Sequence, residues 1–119
     1  MVRCAVCKGT LEVERLACRD CGLALEGAFR LPRLLRLSKE HLALAEAFLL
    51  AGGSIKDVAA ELDISYPTLR KRLDELIESL ATLRKADVAA SEAVLQAIEH
   101  GEVSAARGLR QIKEINGDL

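Results

Sequence analysis

Four cysteines set in two Cys-x-x-Cys pairs, Cys4 with Cys7 and Cys18 with Cys21, are the residues of this chain best suited to chemistry. A two-residue gap lets both thiolates of a knuckle reach one metal ion, and two knuckles complete the tetrahedral shell that Zn2+ takes. Four thiolates leave no position for water, so the expected ion is structural, one per chain, and not catalytic. Two disulfides would require an oxidising compartment, and no export signal is read where Met1-Val2-Arg3 runs straight into Cys4. A redox-active pair is disfavoured because nothing thioredoxin-like surrounds either motif. The two histidines add no ligand: His41 falls in the first turn of an expected helix, and His100 near a helix C-terminus is explained by the helix dipole. No Ser/His/Asp set, phosphate loop or paired-carboxylate cleft is present, so the chain is not expected to be an enzyme.

A second set of chemically useful residues lies between Ser54 and Leu80. Apolar residues at Val58, Leu62, Ile64, Leu69, Leu73 and Leu76, small Ala59, and a short link at Asp63-Ile64 read as a helix-turn-helix. Ser54 can cap the first helix with Asp57 as its partner three residues on; Ser65 can cap the second, with Pro67 tolerated in its first turn. Once the leucines turn inward, Tyr66, Pro67, Thr68, Arg70, Lys71 and Arg72 are left facing outward or flanking. Arg70 is the residue to watch, because a guanidinium can bond two acceptors of one guanine.

These residues need positioning elements. Around the cysteines, Leu11 and Val13 alternate with Glu12 and Glu14, and Leu23-Ala24-Leu25-Glu26 alternates again, which predicts two strands of a zinc ribbon over residues 1–30. Lys8-Gly9 and Gly22 follow the knuckles, where tight turns need a permissive backbone. So short a segment buries little core, and its folding is expected to depend on the metal. Residues 31–37 form a linker marked by Pro32. The spacing of Arg30, Arg33 and Arg36 puts them on one side, where Arg33 and Arg36 could touch DNA phosphates or form a solvated face over packed leucines. Ser38 starts a helix, with Leu37 and Leu42 as a hydrophobic staple, Leu42, Ala45, Phe48 and Leu49 on one face, and Gly52-Gly53 as the stop. This helix completes a three-helix helix-turn-helix domain over residues 38–85.

The order of these features matches a known pattern. CxxCxGxLEVxRLxCxxCG, then a linker, then LSKEHLALAEAFLLAGGSIKDVAAELDISYPTLRKRLDEL resembles a family of uncharacterised prokaryotic proteins, a domain of unknown function that pairs an N-terminal zinc ribbon with a helix-turn-helix. The resemblance covers roughly residues 4–80 and implies a transcriptional regulator without an established target. Ala59, Ile64, Thr68, Leu69 and Leu73 are similar to the frame of sigma-factor-type and response-regulator helix-turn-helices, which often carry Gly where this chain has Asp63; Asp tolerates left-handed geometry better than most residues. That likeness implies base contacts from Tyr66, Pro67, Arg70 and Lys71, with Asp74 a further candidate, and phosphate contacts from Ser65, Thr68 and Arg72. Lys56 joins Arg72 as a source of salt-dependent affinity.

Beyond the motif, Leu69, Leu73, Leu76, Leu80 and Leu83 follow a four-three heptad spacing, which predicts a helix that runs on past Leu80. Its later members, with Ile77, are expected to meet a second copy. In the segment 86–119, Val94, Leu95 and Ile98 line one helix, His100-Gly101 ends it, and Ser104 caps another carrying Leu109 and Ile112. This hairpin resembles a short C-terminal oligomerisation motif of many bacterial proteins, of the form VLxxIExGExSxxxAxxxL, which implies the same residues as contacts between copies. The fold class expected is mainly α with a small β zinc ribbon.

Composition limits the partners. Half of the residues are apolar and 29% are charged, so the chain folds. Three aromatics are too few for single-strand binding by base stacking. The formal charge of -1 is not the basic balance typical of nucleic-acid binders. Residues 1–37 carry a net +3 and residues 74–119 a net -4, which marks the acidic end for a protein contact. The longest apolar run, Leu42 to Ala51, contains Glu46 and is too short to span a membrane, so a soluble, cytoplasmic protein is expected. Two functions fit: a dimeric, sequence-specific duplex-DNA-binding regulator, or an adaptor of the transcription machinery that uses the same scaffold without reading DNA.

Overall fold

The computed structural model describes residues 3–116 and is mainly helical, with one two-stranded sheet near the N-terminus. β1 (Val13–Ala17) pairs antiparallel with β2 (Ala24–Phe29), matching Leu16 to Leu25 and Ala17 to Ala24, with a bulge between Val13 and Arg15. Leu11, read as part of the first strand, lies before it. Nearly every strand residue is exposed, so the ribbon has no apolar core of its own. The cross-strand pair Arg15–Glu26, at 3.5 Å and open to water, stabilises it by about 0–1 kcal/mol.

A single turn of 3-10 helix, Arg33–Arg36, follows Pro32. Then come α1 (Lys39–Leu50), α2 (Ile55–Leu62), α3 (Tyr66–Glu99) and α4 (Ala105–Ile115). Each starts on a serine whose hydroxyl accepts a backbone N–H three residues on: Ser38 from His41, Ser54 from Asp57, Ser65 from Thr68 and Ser104 from Arg107. Such caps each contribute about 1 kcal/mol and fix where a helix begins. Asp63 takes the left-handed conformation at φ 52°, so Ile64 N–H can close on the Ala59 carbonyl. That is how Asp serves where related motifs carry Gly.

The core lies where α1, α2 and α3 cross: Leu44, Val58, Ala59, Leu69, Leu73 and Leu76, with Phe48 and Ile64 packed against it. Three expected members are not in it, and the first, Leu42, is half-buried outside the cluster. Leu49 and Leu62 are exposed. The inward stripe of α1 runs Leu44, Ala47, Phe48, Ala51, and Leu49 stands a full residue rotation beyond it; Leu62, in the last turn of α2, lies past the helix crossing.

α3 is 34 residues long, roughly 51 Å at 1.5 Å per residue, and runs unbroken through positions 85 and 86. The four-three spacing of its leucines continues far beyond Leu83. Leu69, Leu73, Leu76, Leu80, Leu83, Asp87, Ala90, Val94 and Ala97 form one stripe on which no residue is exposed. Three parts of the same chain pack along α3: α1 and α2 at its start, the linker turn in the middle, and α4 at its end. Val94 and Ile98, expected to meet a second copy, instead lie against Gly108 of α4, where an added Cβ would come within 2.6 Å of Ile98 Cγ1. Gly108 is therefore needed for this close approach. No helix among the described residues is long and apolar enough to cross a membrane.

Candidate metal knuckles and nucleic-acid interface

Each cysteine pair forms a closed turn. In the first, Lys8 N–H donates to the Cys4 carbonyl and Cys4 N–H to that of Gly9; in the second, Gly22 donates to Cys18 and Cys18 to Leu23. The residue after the second cysteine is left-handed in both, Lys8 at φ 62° and Gly22 at φ 77°. Sequence reasoning placed the permissive backbone at Lys8-Gly9, and it is lysine that takes the strained conformation, at a cost of about 1–2 kcal/mol. Backbone N–H groups of Cys7 and Val6 hold the Cys4 thiol below its ordinary pKa, and those of Cys21 and Asp20 do the same for Cys18. The first sulfur of each knuckle is thus drawn toward the thiolate, the form that binds metal.

The donor chemistry fits zinc: two closed cysteine knuckles, each with one thiol held toward the thiolate form, and no disulfide among the four sulfurs. Among the described residues, however, no three His, Cys, Asp or Glu side chains are gathered closely enough to hold an ion. A shared ion would have to draw the two knuckles together, which an open two-stranded ribbon without a core can allow.

At the other candidate site, the first turns of α3 present Tyr66, Pro67, Thr68, Arg70, Lys71 and Arg72 to solvent, while Leu69 and Leu73 are buried behind them. Ser65 Oγ and Thr68 Oγ1 lie 2.8 Å apart, so both hydroxyls are partly used in the cap. Arg70 pairs with Asp74 at 3.3 Å on the exposed helix surface. A pair of this kind contributes about 0.3–0.5 kcal/mol and releases its arginine readily. Lys56, on α2, is exposed on the same helical pair. The N-terminal end of α3 adds the positive pole of a long helix.

Arg33 and Arg36 are elsewhere. Both bind Asp87 on α3, and so does Arg30. Arg30 Nη2 lies 3.2 Å from Oδ1, Arg33 Nε lies 3.0 Å from Oδ2, and Arg36 Nη2 also donates to Oδ2. Asp87 is 1% exposed and the side chain of Arg36 11%, so Arg36 cannot reach a phosphate. Arg33 and Arg36, expected on DNA phosphates, are instead held by a buried carboxylate on the leucine stripe, Arg36 enclosed there and Arg33 still 32% exposed. Burial alone would raise the Asp87 pKa, but hydrogen bonds from Arg36 and Arg33 and the charges of Arg36 and Arg30 outweigh it and hold the carboxyl below its usual range. Asp87 was the functional residue missed from sequence, although continuing the heptad from Leu83 by four positions lands on it.

Residues 4–35 match the family described as "DUF2089 zinc ribbon", and residues 37–82 match the one described as "Domain of unknown function (DUF2089)-HTH". The two segments together span most of the chain. The chain belongs to the DUF2089 family. Its ribbon and its helix-turn-helix are thus the two parts of this DUF2089 protein, and Asp87, on a turn of α3 beyond the matched region, binds Arg30 and Arg33 at the end of the first segment and Arg36 between the two. No curated protein and no solved structure matches the chain.

Proposed function

We propose that this chain is a cytoplasmic, homodimeric regulator that binds duplex DNA in a sequence-dependent way through the start of α3, carries out no reaction, and holds one structural zinc ion on Cys4, Cys7, Cys18 and Cys21. The observation that carries the reading is the solvent-facing first part of α3, where Arg70 and Lys71 stand out over a buried Leu69 and Leu73. In helix-turn-helix proteins the N-terminal residues of the second helix contact base edges. Tyr66, Pro67, Arg70 and Lys71 take that role here, and Ser65, Thr68, Arg72 and Lys56 bind the backbone.

A second reading is favoured by one specific observation. Arg30, Arg33 and Arg36 are spent on Asp87, and the helix-turn-helix itself, with seven Lys or Arg against eight Asp or Glu over residues 38–85, has no basic surplus. An adaptor that docks on transcription proteins, using its acidic C-terminal segment, needs no such surplus.

The two readings part on salt. Binding to duplex DNA should weaken steeply as salt rises, and Arg72→Ala should lower the slope of log affinity against log salt by about 1 without changing sequence preference. Arg70→Ala should lose preference at one base position, a loss of about 1–3 kcal/mol in discrimination. Fluorescence anisotropy over a salt series measures both. Equal effects of the two variants on all sequences would remove Arg70 as a base reader.

A further inference from the structure

α3 carries a second heptad stripe, one residue round from the buried one: Ile77, Ala81, Arg84, Val88, Ser91 and Leu95. Its large members are open to water, with Ile77 54%, Val88 49% and Leu95 50% exposed. Neither Arg84 nor Glu92 has an ionic partner among the described residues. The chain is also extended. Its radius of gyration is 18.3 Å, against roughly 13–14 Å for a compact domain of this length. An apolar stripe along an extended helix is a surface that one copy of the chain leaves uncovered.

Read backwards about Val88, the stripe together with the residue beside it, Glu92, is complementary to itself. Four residues before Val88 stands Arg84, and four after it stands Glu92. Seven before stands the small Ala81, and seven after stands Leu95. We propose that two copies associate through this face, α3 against α3 and antiparallel, with Val88 opposite Val88 on the two-fold axis. The proposal rests on the dimer reading above and adds the surface, the direction and the register. In such an isologous contact every pairing occurs twice. Arg84 of each copy meets Glu92 of the other, and each Leu95 covers an Ala81. A parallel pairing would set Arg84 against Arg84 and Glu92 against Glu92, and would leave a gap between two alanines; like charges facing each other disfavour it.

One consequence concerns the DNA. With Val88 on the axis, the two Arg70 positions lie about 54 Å apart along α3, at about 1.5 Å per residue. That exceeds the roughly 34–36 Å between half-sites one helical turn apart. The half-sites of this dimer are therefore more widely spaced.

Sedimentation equilibrium on the zinc-loaded full chain tests the proposal. Wild type should be a dimer. Arg84→Glu sets Glu against Glu92 at both ends of the contact and should raise the dimer Kd roughly tenfold or more. The charge exchange Arg84→Glu with Glu92→Arg should restore it. On mild oxidation, Val88→Cys should link two copies through the introduced thiols, identified by peptide mapping, whereas Leu95→Cys should not. If Arg84→Glu dimerises as tightly as wild type, this face is not the interface. If Leu95→Cys links as readily as Val88→Cys, the antiparallel register is wrong. A monomeric wild type would overturn the dimer reading itself.

Discussion

Asp87→Asn is expected to destabilise the fold by about 3–5 kcal/mol, because it removes the one charge that compensates buried arginine. Arg36 is almost fully enclosed, and its Nε already has no acceptor among the described residues. An amide in place of the carboxylate keeps the shape but leaves that guanidinium uncompensated. Arg30 and Arg33 are more open and can turn to water, so most of the cost belongs to Arg36. The double change Asp87→Leu with Arg36→Met should recover much of the loss, since replacing a buried ion pair by apolar residues of similar volume is often neutral. Urea denaturation of wild type, Asp87→Leu, Arg36→Met and the double variant gives the cycle.

The pH dependence has a definite sign. The folded-state pKa of Asp87 lies below its unfolded value of about 3.9, so the carboxylate's contribution is complete above that value. It is lost as pH falls through the folded pKa. Wild type should therefore weaken below about pH 4 in a way that Asp87→Asn does not. Amide exchange should locate the damage: the linker bonds Leu35 N–H to Pro32 and Leu37 N–H to Leu34 should open in Asp87→Asn, while the ribbon amides keep their protection.

Removing zinc should have a different and larger local effect. Chelation under reducing conditions is expected to unfold the ribbon while the helical signal of α1 to α4 remains. The reason is the near-complete exposure of β1 and β2, which leaves the ribbon no apolar burial to offset its ordering entropy. Structural zinc supplies about 10–16 kcal/mol in small finger peptides near neutral pH, far more than the ribbon's hydrogen bonds can provide alone. The proposed shell takes a pair from each knuckle, so Cys4→Ser and Cys18→Ser should each abolish the ribbon's amide protection. Metal analysis should give one zinc per chain. A metal content near zero in fully reduced protein would remove zinc from the account.

What could be read from sequence was local. The four serine caps, the cysteine knuckles, the turn at Asp63 and the stop at His100-Gly101 depend on residues within a few positions of one another. The long-range pairings were not legible in the same way. Arg33 and Arg36 look like a phosphate-binding arm until the chain folds back and places Asp87, more than fifty residues on, beneath them. The leucines of α3 read as a seam for a second copy because nothing local shows the linker and α4 packing along the same helix. A charged residue at a heptad position was the clue to that pairing. Leu49 and Leu62 were misplaced for a related reason: a helix stripe is narrow, and which leucines fall within it depends on the crossing partner.

The start of α3 is proposed to read duplex sequence. Selection of bound fragments from a random duplex pool by the zinc-loaded full chain tests it most directly, with Arg70→Ala run in parallel. The expected result is a recurring motif for wild type, with a guanine position that disappears in Arg70→Ala. A wild-type protein that retains no duplex from the pool, even at low salt, would contradict the claim and leave the adaptor reading in its place.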